Sequence, residues 1–272
     1  MIGIIGQGFV GNAVYQKFKN HFGVLTYDID REKCNSTFDE LATKCDTIFV
    51  CLPTPMNSDG SANVSLIEGT LEKLNRYENK VVIIKSTIPP STTEGFNKTY
   101  TNLSVVFNPE FLTERNAVSD YENQNRIILG GPKRATTHLK QIFSKVFPKA
   151  SIVKTDSTHA EMVKYLTNTF LSTKVSFANE MYQLCEKLGI DYDKVVEYSI
   201  YDERLGKSHW SVPGPDGDFG FGGHCFPKDL AALIFLTQKF DTTNNVLKAV
   251  GETNNSVRND RDWEKMKGRA VV

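Results

Sequence analysis

Residues 220–233 read GFGGHCFPKDLAAL, which sets one cysteine, Cys225, between a glycine run and the start of a helix. Pro227 suits a first helical turn, where its missing N–H costs nothing. The thiol therefore falls at a helix N-terminus. Unpaired N–H groups, the helix dipole and the neighbouring Lys228 favour a thiolate there. The glycine run lets a substrate come close to the backbone. These are the features of an activated nucleophile; a buried structural cysteine on a glycine turn is the competing reading. At the other end of the chain, Gly6-Gln7-Gly8-Phe9-Val10-Gly11 spells GxGxxG, directly after the apolar IGII and ahead of a helical pattern. Such glycines allow a tight turn and close backbone approach, with the helix N-terminus facing a pyrophosphate. The segment VLTYD then ends in Asp28, 17 residues past Gly11. An acid there accepts hydrogen bonds from a ribose and disfavours a 2′-phosphate, which points to NAD over NADP. Asp30 is the alternative ribose acid. A nucleophilic thiol with a hydride acceptor suggests aldehyde-level chemistry, in which a hemithioacetal is oxidised to a thioester and hydrolysed to an acid.

These residues need a frame. Over roughly the first 155 residues, short apolar runs (2–5, 24–28, 47–52, 81–87, 104–108, 126–130 and 151–154) alternate with helical patterns at 11–22, 38–44, 65–77 and 136–147. Alternation of this kind predicts a mostly parallel sheet covered on both faces. The period changes after Asp156. From His159 to Leu188 there is neither Pro nor Gly, and apolar residues fall at Val163, Leu166, Phe170, Phe177, Met181, Leu184 and Leu188. This predicts one helix of about 30 residues, ~45 Å long, ended by Gly189. It either lines a subunit interface or forms a spine within the monomer. Shorter helices are expected at 191–198, 230–240 and 245–256, a Pro/Gly-rich loop at 208–223, and the beginning of a further strand at the C-terminus. The expected fold class is α/β. A Rossmann-type, mostly parallel sheet (1–156) precedes an all-helical domain built on the long helix (157–272).

Composition excludes more than it selects. The 272 residues carry 32 basic and 32 acidic side chains, a formal charge of +0, which gives no reason to expect a nucleic-acid or membrane partner. No run of ~18 apolar residues is present, and MIGIIGQG is not a secretory signal. Five scattered cysteines, without CxxC or Cys/His metal spacing, fit a reduced cytoplasmic compartment. No metal site is expected.

Several separated motifs resemble the UDP-glucose/GDP-mannose dehydrogenase family. GGHCFPKD (222–229) is similar to its catalytic-cysteine motif, STIPP (86–90) to its Ser-Thr-x-Pro loop, and NPEFLTE (108–114) to its Asn-Pro-Glu-Phe-Leu-x-Glu segment. CLPTP (51–55) resembles its cofactor loop, and KYLTNTFLSTKVSFANE (164–180) its central helix. The resemblance implies NAD-dependent oxidation of a sugar-nucleotide C6 alcohol to the carboxylate, with UDP-glucose the favoured substrate and no aldehyde released. It makes Cys225 the nucleophile and puts the Lys164 charge near the developing oxyanion, with Asn168 beside it. Asp229 pairs with the catalytic lysine or orients water, while Thr87 and Glu110 position water and shuttle protons. Thr54, Thr87, Glu114 and Lys228 fall on the cofactor side. Phe111, Leu112, Phe221 and Gly222 fall on the substrate side. DERLGKSHW (202–210) implies that Arg204 reaches the sugar nucleotide of a neighbouring subunit in a homodimer joined through helix 159–188, and Trp210 aligns loosely with an aromatic near the nucleotide. His224 is adjacent to the thiol but is not expected to act as a base.

Members of the family usually carry a third, nucleotide-binding domain, and this sequence stops about where its first strand would begin. Two other functions compete. One is a two-electron β-hydroxyacid-type dehydrogenase, which uses Lys and Asn on the long helix but no cysteine. The other is a non-catalytic NAD or sugar-nucleotide binder.

Overall fold

The structure is a computed structural model describing all residues, 1–272. The chain forms two compact units, Met1–Thr54 with Val64–Lys164, and Pro55–Asn63 with Tyr165–Val272.

The first unit is built on seven strands: β1 (Ile2–Ile5), β2 (Val24–Tyr27), β3 (Thr47–Val50), β4 (Lys80–Ile84), β5 (Leu103–Phe107), β6 (Arg126–Gly130) and β7 (Ser151–Thr155). They form one sheet in the order β2-β1-β3-β4-β5-β6-β7. Every neighbouring pair is parallel except β5 and β6. Six helices join the strands: α1 (Phe9–Phe18), α2 (Phe38–Lys44), α3 (Ser65–Leu74), α4 (Thr92–Thr99), α5 (Ala117–Glu122) and α6 (Lys133–Val146). Side chains alternate across the strands, so the sheet has two cores. Ile48, Val50, Val82 and Ile84 pack with Leu41 of α2 and Ile67, Leu71 and Leu74 of α3. Phe49, Ile83 and Val106 pack on the other face with Phe18 of α1, Tyr121 of α5 and Phe143 of α6. Each such fully buried side chain is worth about 1.5–3 kcal/mol of transfer free energy, which is why the central strands are uniformly apolar.

The expected alternation is present, with shifted ends. Helix α1 stops at Phe18 rather than 22, closing in a turn in which the N–H groups of His21 and Phe22 both donate to the Phe18 carbonyl. Helices α4 and α5 fall outside the expected patterns, being only eight and six residues long with few apolar residues.

A long helix, α7 (Ser157–Leu188), starts in the first unit and continues through the second. The second unit adds α8 (Tyr192–Ser199), α9 (Phe226–Lys239) and α10 (Asn245–Val257). Its small cores gather Ala178, Cys185 and Tyr192, then Tyr165 with Ala232 and Leu233, then Phe221 with Leu230 and Val250. Residues 270–272 do not begin a sheet strand. Val271 makes only isolated bridges to Met56 and Lys267.

Helix α7 reverses the usual amphipathic rule. Its buried positions include Glu161, Lys164, Asn168, Ser172, Ser176 and Asn179, whereas Leu166, Phe170, Phe177, Leu184 and Leu188 are exposed. The expected apolar stripe exists, but in the single chain five of its seven residues are exposed, and Val163 and Met181 are half-buried.

Candidate active site

The glycine loop after β1 is shaped by contacts that only glycine permits. Gly6 sits at φ +90°, and a Cβ there would lie 2.5 Å from the Cys51 carbonyl oxygen. A Cβ on Gly11 would lie 1.8 Å from the Gly6 carbonyl oxygen, whereas one on Gly8 would meet nothing within 4 Å. The first and third glycines therefore hold the turn against α1, and the second leaves a cradle open. The Gln7 N–H donates to Asp28 Oδ2 (2.5 Å), and the Asp30 N–H to Asp28 Oδ1 (2.9 Å). Asp28 is thus the acid beside the glycine loop. Asp30 is exposed, caps the next turn and pairs with Lys33 at 3.1 Å. A cleft of about 630 Å³ opens here, lined by Gln7, Gly8, Phe9, Asn12, Cys34 and Asn35 among others. The buried Gln7 Nε2 has no hydrogen-bond partner. An open cradle, an orphaned amide and an acid at the tip of β2 fit a dinucleotide, and Val10 lies within α1 behind them.

Two further loops leave the C-terminal edge of the sheet. After β4, Thr87 is buried, and its carbonyl accepts from Thr54 Oγ1 (2.8 Å). After β5, Glu110 is buried with Lys164 of α7. Lys164 Nζ donates to the Glu110 carbonyl (2.6 Å) and to Glu110 Oε1 (2.9 Å), and the Leu112 N–H donates to Oε2 (2.7 Å). Phe111 lies under the Lys164 ammonium, 5.4 Å from ring centre to Nζ. Burial opposes ionisation of Glu110, but Lys164, the Leu112 N–H and Lys85 outweigh it and hold the carboxyl below its ordinary value. Lys85, at the end of β4, is buried and donates to Asn108 Oδ1 (2.8 Å); burial pushes its ammonium down to about 8. Glu114 opens an exposed turn beyond this loop.

The thiol belongs to the second unit. Cys225 is the N-cap of α9 and Pro227 lies in the first turn, so the helix begins four residues before the expected 230. Asp229 is only 1% exposed and accepts from Asn168 Nδ2 (2.6 Å) and Lys228 Nζ (2.5 Å). Lys228 thus bonds the Asp229 carboxylate, and Lys164 the Glu110 carboxylate.

The glycine run ahead of the thiol is held by residues that the sequence reading did not single out. Asn179 Oδ1 accepts from the Gly220 N–H (3.0 Å), Asn254 Oδ1 from Phe221 (2.7 Å), and both Asp262 oxygens from Gly223 (3.1 and 3.0 Å). Arg258 pairs with Asp216 at 2.7 Å and lies so close to Gly222 that a Cβ would come within 2.2 Å of its Nη2. Arg204 is exposed and bonded to Asp202 through Nε (2.8 Å). Trp210 donates to the Gly206 carbonyl (2.9 Å) and packs on Phe177. Tyr165 and Tyr182 are packing residues. No group of acidic, His or Cys side chains could hold a metal, no two cysteines form a disulfide, and no helix is long and apolar enough to cross a membrane.

Comparison with known proteins agrees with this arrangement. The UDP-glucose/GDP-mannose dehydrogenase family matches through its NAD binding domain over residues 33–150 and its central domain over residues 158–256. The UDP-glucose 6-dehydrogenase of Rickettsia bellii is 32% identical over 249 residues, covering 89% of this chain and 56% of that protein. The chain thus spans just over half the length of such curated relatives. A UDP-glucose dehydrogenase structure from Pyrobaculum islandicum superposes with a TM-score of 0.85 at 28% identity, over 94% of this chain and 68% of that one. A 3-hydroxyisobutyrate dehydrogenase from Mycobacterium tuberculosis, at 15% identity and a TM-score of 0.75 over 94% and 92% of the two chains, shares the fold. The first unit is an NAD-binding Rossmann domain, and the chain belongs to the UDP-glucose/GDP-mannose dehydrogenase family, with both its NAD-binding and its central domain.

Proposed function

We propose that this chain oxidises the C6 alcohol of a nucleotide sugar, UDP-glucose in the first instance, to the carboxylate through a covalent intermediate on Cys225. The observation that carries the reading is the placement of that thiol at the N-cap of a 14-residue helix, in the unit where Asp229 is locked by Asn168. Gly6–Gly11 and Asp28 would hold NAD along the glycine loop, where it would supply the hydride acceptor for both oxidations. The chain's own groups handle protons and the covalent bond. The alcohol loses its proton and a hydride to give an aldehyde. The Cys225 thiolate adds to its carbonyl carbon, and the oxygen becomes the oxyanion that Lys164 and Asn168 stabilise. Loss of a second hydride leaves a thioester. Water, positioned by Thr87 and Glu110, cleaves the C–S bond, releasing the carboxylate and regenerating the thiolate. One sugar thus consumes two NAD and one water.

The decisive measurement is NADH formed per sugar consumed across a panel of UDP- and GDP-sugars. Two NADH per sugar is the expected result. One NADH would favour the β-hydroxyacid-type reaction, and none with any sugar nucleotide would leave a binding protein.

The outward apolar face of α7 supports a homodimer built on this helix. Five large apolar side chains at half exposure or more on one helix are more than a monomer surface ordinarily carries in a row. Light scattering at micromolar concentration is expected to give twice the 30.5 kDa chain mass; a monomer that persists at higher concentration removes this part of the reading.

A further inference from the structure

Helix α7 opens with a buried carboxylate that none of the roles above uses. Glu161 has 0% exposure. Its Oε2 accepts from the Ser91 N–H (2.7 Å), and its Oε1 from the Thr93 N–H (2.8 Å). Both donors belong to the start of α4. The N-cap there, Ser91, has a left-handed φ of 74° and forms no side-chain cap bond. A carboxylate from a distant helix thus supplies the cap that the local residue does not. Burial pushes the Glu161 carboxyl up to about 7, against the pull of these N–H groups, so the site is expensive to maintain.

The capped segment is the one that carries Thr87. It leaves β4 at Ile84 and reaches Ser91 within seven residues. At its near end, the Thr87 carbonyl is held by Thr54. At its far end, Glu161 holds the backbone of Ser91 and Thr93. Glu161 also stands three residues before Lys164, on the same side of α7. One helical turn therefore grips two loops, accepting from the loop after β4 and donating to Glu110 in the loop after β5.

We infer that Glu161 is a positioning residue for Thr87, fixing the loop after β4 to the turn of α7 that carries Lys164 so that the Thr87 hydroxyl and the Lys164 ammonium keep a constant separation. The kinetic consequence rests on the function proposed above; the structural hold does not. Glu161→Gln keeps the side-chain shape but sets an NH₂ group against one of the two N–H donors. Displacing a reacting group by about 1 Å can cost up to about 100-fold in rate, so kcat is expected to fall about 10- to 100-fold. Affinity for NAD, titrated by NADH fluorescence, should fall much less than kcat, because Glu161 bonds no residue of the glycine loop and Thr87 is one of several groups on the cofactor side.

A merely structural role would slow both steps without reference to Thr87. The discriminating readout is therefore the double variant. If Glu161 acts through Thr87, Glu161→Gln adds little to the loss already caused by Thr87→Val; fully multiplied losses overturn the inference. Hydrogen exchange on the wild-type protein needs no variant and no substrate. The Ser91 and Thr93 amides should be among the slow exchangers of α4, and free exchange at both overturns the claim. A wild-type protein inert to every sugar nucleotide would sink the proposed reaction, while the exchange result would still decide the positioning claim.

Discussion

Replacing Cys225 with Ala is expected to lower steady-state formation of two NADH per sugar by about 10³- to 10⁶-fold, the range for loss of a nucleophile from a cooperating set. Without the thiolate no carbon–sulfur bond forms, so the aldehyde has no route to a thioester. The first oxidation does not require the thiol, and any residual turnover should stop at one NADH per sugar with free aldehyde released. The fold should survive. Cys225 makes no side-chain cap bond as the N-cap of α9, and Pro227 and the buried Leu230 still anchor the helix. The thermal midpoint should therefore move by no more than about 1 kcal/mol of stability allows. Intact-protein mass spectrometry of the wild type under substrate and NAD should show a sugar-nucleotide adduct that the Ala variant lacks. Unchanged turnover in Cys225→Ala would remove the covalent mechanism and leave the two-electron reaction, which uses no cysteine.

What each element buries decides how plainly the sequence announces it. Strands β1, β3, β4 and β5 lie inside a sheet covered on both faces, so their burial demands continuous apolar runs, and IGII, TIFV, VVII and SVVF announce them. The glycine loop was legible for a steric reason, since Gly6 and Gly11 stand where a side chain meets backbone. Helix α7 was found as a helix, but its orientation was not. Its apolar stripe fits a partner or a core equally well, and the buried side of the helix holds Glu161, Lys164 and Asn168. Periodicity records which residues share a face and says nothing about which face is covered. The same limit hid Lys85, Asn179, Asn254, Arg258 and Asp262. Each is a polar residue whose importance comes from a partner 20 or more residues away, as with Asn254 on Phe221 and Asp262 on Gly223. One local signal was available for Glu161, an acid placed at i, i+3 from a lysine already singled out. Spacing alone did not give the partner of Asp229, which the resemblance cast as pairing with the catalytic lysine or orienting water. The structure gives Asp229 to Lys228 and Glu110 to Lys164.

The buried Lys164–Glu110 pair makes Lys164→Met the second variant with a large expected effect. Lys164 and Glu110 are both nearly excluded from solvent, with side chains 4% and 8% exposed. Removing one member of such a pair strands the other charge, at a cost of about 3–5 kcal/mol. Lys85 is close enough to Glu110 to offset part of this. In the wild type the Glu110 carboxyl lies below its ordinary value. Its contribution to stability is therefore complete above the unfolded-state value and is lost as pH falls through the folded one. In Lys164→Met the sign reverses. Burial then dominates, the carboxyl rises, and the loss of stability is greatest at neutral and alkaline pH, easing as acid protonates Glu110. Denaturant melts of both proteins at pH 5 and pH 8 would read this crossover. Adding Glu110→Gln to Lys164→Met should recover most of the lost stability by removing the stranded charge. It should recover none of the activity, because the ammonium that meets the oxyanion and the carboxylate that serves the water are both missing, and kcat should remain at least about 10²- to 10³-fold down. A double variant regaining both stability and turnover would show that neither Lys164 nor Glu110 serves the chemistry and that the pair acts only on the fold.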